Sequence, residues 1–103
     1  HDHDDDITSV SFTSDTPLDF EKFQTWFGRL LQTQGQDILR SKGILEFSDR
    51  DERYVFQGVH MLMDGAPMGD WPKGKPRSSR VVFIGRGLEN MGLKEGFDAC
   101  RTV

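Results

Sequence analysis

Metal-ligating side chains are concentrated at the start of the sequence. His1 and His3 alternate with aspartates, and four of the first six residues are aspartate. In an extended backbone alternate side chains point to the same side, so the two imidazoles can face one ion together. Imidazole nitrogens and carboxylate oxygens are ordinary ligands of zinc and related divalent ions. We therefore expect weak binding of zinc or cobalt through His1, His3 and Asp4. The alternative is a terminal tail or expression remnant that holds no metal.

A further histidine, His60, stands alone in a stretch of apolar and β-branched residues. Histidine is intermediate in burial, so a packed and hydrogen-bonded role is favoured, with a metal-binding or catalytic role as the alternative. A nearby carboxylate such as Asp64 could assist catalysis, but no Ser/His/Asp or Cys/His set can be assembled. Cys100 falls on an apolar helical stripe and is interpreted as a small hydrophobic residue. We therefore assign no catalytic residue.

The segment from Gly69 to Lys75 has the spacing of a phosphate-binding loop, G-x-x-x-x-G-K. Such a loop needs a following Ser or Thr for magnesium, and a helix whose amide groups face the phosphates. Here Pro76 follows the lysine and Pro72 lies inside the segment. The match is interpreted as chance, and the chain alone is not expected to bind or hydrolyse GTP.

The same region carries a cluster of basic residues with one tryptophan. These residues could contact an acidic protein surface or a phosphate group. The alternative is a solvated loop that contacts no partner. A nucleic-acid-binding module that uses the Lys73–Arg80 loop is disfavoured by the overall charge, because 17 acidic residues face 13 basic ones. Without the four aspartates at the start the two signs balance, so no wide basic surface is expected. The residues proposed for partner contact in this loop are Trp71, Lys73, Lys75 and Arg77.

The composition is that of one small globular domain. The chain has 103 residues, of which 35% are hydrophobic, with eight phenylalanines and one cysteine. A membrane span needs about 20 apolar residues, and no run approaches that length. A single cysteine allows no internal disulfide and fits a reducing cytoplasm. The charge changes sharply after Asp6, so residues 1–6 are interpreted as an acidic, histidine-containing linker and residues 7–103 as the domain.

The strongest β-strand pattern runs from Arg53 to Gly65, which we interpret as one long strand. Successive side chains of a strand point to opposite faces, so Val55, Val59 and Met61 would share one face. The opposite face of the strand is also apolar, which indicates that other elements or a partner cover both faces of the sheet here. The chain offers only two helices, so we expect one face to remain partly exposed. Val55, Val59 and Met61 are the predicted interaction surface, with the side chains of the opposite face as the alternative.

The remaining pattern predicts a two-layer α+β sandwich. Strand, helix and strand at the start imply a right-handed crossover with parallel first and second strands, and later strands joined by turns should be antiparallel. The order is β-α-β-β-β-α, with a four-stranded, mixed but mostly antiparallel sheet and both helices on one face. The other predicted strands are Ile7–Thr13, Ile38–Phe47 and Arg80–Ile84, and Gly43 in the second of these indicates a bulge or a close backbone approach. The first helix is predicted to begin at the cap Thr16 and Pro17 and to end at Gly35, and a short second helix follows Asn90. Gly65–Ser79 is predicted to be an irregular loop.

Four segments together resemble the C-terminal domain of CobW-type GTPases, which include cobalamin-synthesis CobW proteins and zinc metallochaperones. The resemblance covers Ile7 to Cys100, and the acidic leader resembles the linker that precedes this domain in the family. The segments occur in the family's order and are Val10–Phe27, Asp37–Leu45, Tyr54–Gly65 and Ser79–Leu88.

The resemblance implies a parent protein that hydrolyses GTP and delivers zinc or cobalt to a client. GTP, magnesium and a cysteine-rich metal motif would belong to its N-terminal GTPase domain. This chain would be an accessory module in the cytoplasm that packs on the GTPase domain, recognises a client and forms homo-oligomers in some cases. The alternatives are a small stand-alone enzyme built on His60, or a nucleic-acid-binding module built on the Lys73–Arg80 loop.

Overall fold

The computed structural model describes residues 7–102 and consists of one sheet with two helices on one of its faces. Two short 3-10 helices, Gly35–Asp37 and Leu88–Asn90, adjoin the longer elements. The strands are β1 (Ile7–Ser14), β2 (Ile38–Leu45), β3 (Glu52–Val59), β4 (Leu62–Asp70) and β5 (Ser79–Arg86), and the helices are α1 (Phe20–Gln34) and α2 (Leu93–Ala99).

The predicted strand from Arg53 to Gly65 is in fact a β-hairpin. The chain reverses at His60 and Met61, and β4 then runs antiparallel to β3 through much of the predicted Gly65–Ser79 loop. Hairpin turns usually carry Gly, Asn or Asp, so this turn has no signal in the sequence. His60 takes the left-handed backbone conformation instead, with φ 54°. Its N–H donates to the Ile38 carbonyl at 3.0 Å, so a contact with β2 helps to hold the turn.

The sheet has five strands and is antiparallel throughout, where four strands in a mixed sheet were predicted. The strand order is β1-β5-β2-β3-β4. Because β5 lies between β1 and β2 and runs antiparallel to both, β1 and β2 have the predicted common direction but are not neighbours. Short-range patterns carry no information on where the last strand of a chain inserts, which is why this feature was missed.

Helix α1 begins later than predicted. The Asp19 carboxylate, and not Thr16, caps it by accepting the Lys22 N–H at 2.8 Å. Leu18 is fully buried, and its N–H donates to the Glu46 carbonyl at 2.8 Å, which keeps the chain extended up to the cap. Gly35 follows the helix as predicted, but with φ −58° it is not a left-handed terminator.

An aromatic cluster joins the helices to the sheet. Phe27 of α1 lies 5.1 Å from Phe56 of β3 and 6.2 Å from Phe83 of β5, measured between ring centroids. The predicted close approach at Gly43 is confirmed, because a Cβ there would overlap the Phe56 ring. The fully buried phenylalanines are Phe23, Phe27, Phe47, Phe56, Phe83 and Phe97.

Two glycine substitutions should have opposite effects on stability. A Cβ at Gly85 would overlap the backbone carbonyl oxygen of Asp37, and a backbone atom cannot move aside cheaply. We expect Gly85→Ala to lower the free energy of unfolding by about 1–3 kcal/mol. Gly28 lies on α1, and no neighbouring atom is within 4 Å of the place where a Cβ would lie, so Gly28→Ala is the matched control. It should stabilise by up to about 1 kcal/mol, since alanine favours helix. Urea unfolding of both variants measures this, and equal effects would contradict it.

Candidate interaction surfaces

The sheet face opposite the helices is not covered by any part of the described chain. We call it the open face. Ile44 pairs across the sheet with Val55 and with Arg80, and Lys42 pairs with Val82, so these side chains share one side. Large apolar side chains remain accessible there, with Ile44 39% and Ile84 37% exposed. The side chains of the open face include Arg40, Lys42, Ile44, Val55, Gln57, Val59, Arg80, Val82 and Ile84, and Ser9, Ser11 and Thr13 of β1 lie at its edge.

The centre of the open face is a shallow depression of about 560 Å³. Ile44, Val55 and Val82 supply its apolar lining, and the cationic side chains of Lys42 and Arg80 border it. Neither cation forms an ion pair within residues 7–102, where the ion pairs use other lysines and arginines. The depression can therefore accept an apolar group that is accompanied by a carboxylate.

The structure places two of the three residues of the predicted surface on the open face. Val55 is half-buried and Val59 is 49% exposed there. Met61 is 50% exposed, but it belongs to the hairpin turn and lies against Gly35 at the end of α1. The three residues were placed on one face because a single strand was predicted, and the turn interrupts the alternation of side chains along that strand. Ile44 and Val82 were missed, because only the register of β2 with β3 and β5 places them on this face.

The predicted basic cluster is divided between two places. Lys73, Lys75 and Arg77 are exposed in the loop between β4 and β5, whereas Arg80 lies on the open face. Arg77 is 3.8 Å from an Asp51 carboxylate oxygen, so part of the loop's charge is offset within the chain.

Trp71 is half-buried at the start of this loop, and its indole N–H has no hydrogen-bond partner in the described chain. The segment from Gly69 to Lys75 leads into β5 and not into a helix. It therefore lacks the helix N-terminus that a phosphate-binding loop provides, which agrees with the interpretation of its spacing as chance.

His60 lies at the exposed hairpin turn. Its Nδ1 is 3.1 Å from the Gln36 carbonyl oxygen, so the predicted hydrogen bond is present, but the residue is exposed and not packed as predicted. Asp64 pairs with Gln57 across the hairpin, and His60 makes no ion pair in residues 7–102. Those residues also contain no group of three or more His, Cys, Asp or Glu side chains that could hold a metal. His1, His3 and Asp4 lie outside the described residues.

Cys100 is buried beside the start of α1. Its Sγ is 3.3 Å from the Gly96 carbonyl oxygen, to which the S–H donates. Burial raises the pKa of this thiol to about 11, and Asp19 adds to that rise while Lys22 opposes it. Because the thiolate is the nucleophilic form, Cys100 is unreactive at neutral pH.

The sequence and fold identify the family. Residues 7–101 match the model of the cobalamin synthesis protein cobW C-terminal domain, and the chain belongs to this family. Among curated proteins it is similar to the zinc chaperone YjiA of Escherichia coli (strain K12), with 31% identity over 100 residues. That match covers 97% of this chain and 31% of the relative, so the chain spans about a third of the relative's length.

Solved structures agree with that assignment. The Zn(II)-bound YjiA GTPase from E. coli superimposes with a TM-score of 0.87 and 29% identity. A Zn(II)-bound triple mutant of YjiA GTPase gives a TM-score of 0.86 and 31% identity. Each match covers 94% of this chain and 30% of the solved chain. Within residues 7–102, no helix is long and apolar enough to cross a membrane.

The raised pKa of Cys100 predicts a pH-dependent loss of stability. The pKa of the thiol is about 9 in the unfolded chain and about 11 in the folded one, so the unfolded state loses its proton first as the pH rises. Stability that is present below pH 9 should therefore decline towards pH 11. At the upper end the loss attributable to Cys100 should be about 2 kcal/mol.

The measurement is urea unfolding across this pH range for the unmodified chain and for Cys100→Ala, which lacks the thiol. Other titrating groups affect both proteins equally. The decline should be smaller in Cys100→Ala, and identical declines would contradict the assignment.

Proposed function

We propose that this chain is the accessory C-terminal module of a CobW-type, GTP-dependent metallochaperone that delivers zinc or cobalt in the cytoplasm. Membership of the cobW C-terminal family supports the proposal, as does similarity to one third of a zinc chaperone. The observation that carries it is the open face, an unpartnered apolar surface with cations around it. Such a surface belongs to a domain that works by contact with another protein. GTP hydrolysis is assigned to the GTPase domain of the parent protein and not to this chain.

We propose that the open face is where the N-terminal GTPase domain docks. Ile44, Val55 and Val82 would lose water-accessible apolar area on docking, which stabilises contact by about 25 cal/mol per Å². Lys42 and Arg80 would meet carboxylates of the partner, because they have no acidic partner in residues 7–102. Contacts between domains of one chain usually bury about 600–1,500 Å² and are partly polar, which fits this mixture.

Substitution of Ile44 tests this docking. Ile44→Lys places a charge where apolar contact is proposed, yet the position is already exposed, so the isolated chain should lose less than about 0.5 kcal/mol of stability. In the parent protein it should separate the thermal unfolding of the two domains into two transitions, measured by scanning calorimetry. Met61→Lys is the matched control, since Met61 is at least as exposed but lies off the open face.

Two results would contradict the docking proposal. One is unchanged unfolding of the parent protein with Ile44→Lys. The other is an equal effect of Met61→Lys, which would move the docking site to the hairpin turn.

We also propose that the leader binds the transported ion weakly. His1 and His3 supply two imidazoles and Asp4 a carboxylate, which leaves a four-coordinate zinc shell to be completed by water or a second carboxylate. Fixing the backbone of a residue around an ion costs about 1–2 kcal/mol, so binding should be weak and exchangeable, as suits hand-over. Deleting residues 1–6 should abolish zinc binding and leave the fold intact.

Zinc titration by calorimetry, with and without the leader, measures this. Affinity should also fall as the pH drops through about 6.5, because a protonated imidazole cannot bind metal. His60→Ala is the control and should bind zinc as the unmodified chain does. Equal affinity with and without the leader would overturn the proposal and make His60 the next candidate ligand.

For the client we propose contact through the β4–β5 loop. Lys73 and Lys75 are exposed, and Trp71 is half-buried at the start of the same loop. A client with an acidic surface fits this charge. Nucleic acid is not favoured, because Arg77 is already paired with Asp51 and the overall charge is −4.

A further inference from the structure

The two edge strands of the sheet differ in how well they can accept another strand. In an antiparallel sheet, the N–H and C=O groups of successive residues point alternately to the two neighbouring strands. The two-residue turn at His60 and Met61 makes Val59 and Leu62 a hydrogen-bonded pair, and this fixes the direction of the other residues as far as the pair of Tyr54 and Pro67. The residue pairs of β3 with β2, of β2 with β5 and of β5 with β1 carry this alternation across the sheet. They therefore show which backbone N–H and C=O groups point away from the sheet at each of its two edges.

The outer edge of β4 is a poor template for another strand. Up to the register shift that follows Pro67, its outward positions are Met63, Gly65 and Pro67. Pro67 has no N–H to donate, and glycine weakens a strand. Gly69 has φ 85°, which departs from strand geometry. Natural sheets use such residues to prevent pairing at an edge.

The outer edge of β1 carries none of these features. Its outward positions are Ile7, Ser9, Ser11 and Thr13, and none is proline, glycine or charged. Their outward N–H and C=O groups have no protein partner within residues 7–102. β1 therefore offers a regular row of donors and acceptors to an extended chain.

A groove of about 360 Å³ lies beside β1 on the helix side of the sheet. Val10 and Phe12 of β1 line it together with Leu88 and Leu93, so it is apolar where the alternate side chains of an added strand would lie. Glu89, Glu95 and Lys94 also line it. Lys94 is paired with Asp98 at 2.7 Å, whereas neither glutamate forms an ion pair within residues 7–102.

We propose that the free edge of β1 is a peptide-binding site that accepts an extended segment of a partner protein as a sixth strand. The segment would have apolar side chains at alternate positions, directed into the groove, and lysine or arginine near its ends, opposite Glu89 and Glu95. Backbone hydrogen bonds would supply affinity and the groove would supply sequence preference. The site uses the backbone edge of β1 and the groove on the helix side of the sheet, so it does not depend on docking at the open face.

The test compares Ser11→Pro with Ser11→Ala. The proline removes one outward N–H and blocks pairing at the middle of β1, and a proline is tolerated on an edge strand. The alanine keeps the N–H, and both changes remove the same exposed side chain. The probe is a synthetic peptide of alternating valine and threonine with a lysine at each end. NMR titration of the chain should move the amide signals of Ser9, Ser11 and Thr13.

We expect Ser11→Ala to bind the peptide as the unmodified chain does, and Ser11→Pro to bind it at least about tenfold more weakly. Ser9→Pro should repeat the loss, which guards against a folding defect in one variant. Equal binding by Ser11→Pro, no binding by the unmodified chain, or shifts at Met63 and Gly65 of β4 would each overturn the proposal. The proposal would also be overturned if the unmodified chain self-associates and Ser11→Pro abolishes this, because the strand bound at the edge of β1 would then come from a second copy of the chain.

Discussion

The contact of α1 with the sheet through phenylalanine rings is the interaction on which the other features depend. Phe23 and Phe27 stack at 5.2 Å between ring centroids, and both rings approach Phe56 of β3. Each such ring buries a large apolar area and adds about 0.5–1.5 kcal/mol through its geometry with a neighbour. The Phe56 ring occupies the space that a side chain at Gly43 would need. The packing of α1 on Phe56 therefore depends on a glycine at this position of β2.

Because this core lies on one side of the sheet only, the other side is left with apolar and cationic side chains together. A sheet exposed to water on one face usually alternates apolar and polar residues. Here Ile44, Val82 and Ile84 keep apolar groups on the exposed side, between Lys42, Arg80 and Arg40. Stability of the domain alone does not require them, which is why we assign them to contact with another protein.

Sequence patterns predicted the elements better than their arrangement. The stripe of Phe23, Phe27 and Leu30 predicted α1 because helical spacing is a local property. The turn at His60 was missed because a contact with β2, and not a turn residue, holds it. The exposure of Val59 followed from having two apolar sheet faces and only two helices. Ile44 could be placed beside it only once the register between β2 and β3 was known.

The position of β5 between β1 and β2 affects how the chain can fold as it is synthesised. β2, β3 and β4 are consecutive, so they can pair as soon as they leave the ribosome. β1 ends at Ser14 and pairs with no described strand except β5, which begins only at Ser79. Contacts between distant residues form slowly, and unpaired strands are prone to aggregation. β1 therefore stays without its partner until almost the whole domain has been translated, which makes it the segment that most needs protection by a chaperone on the nascent chain.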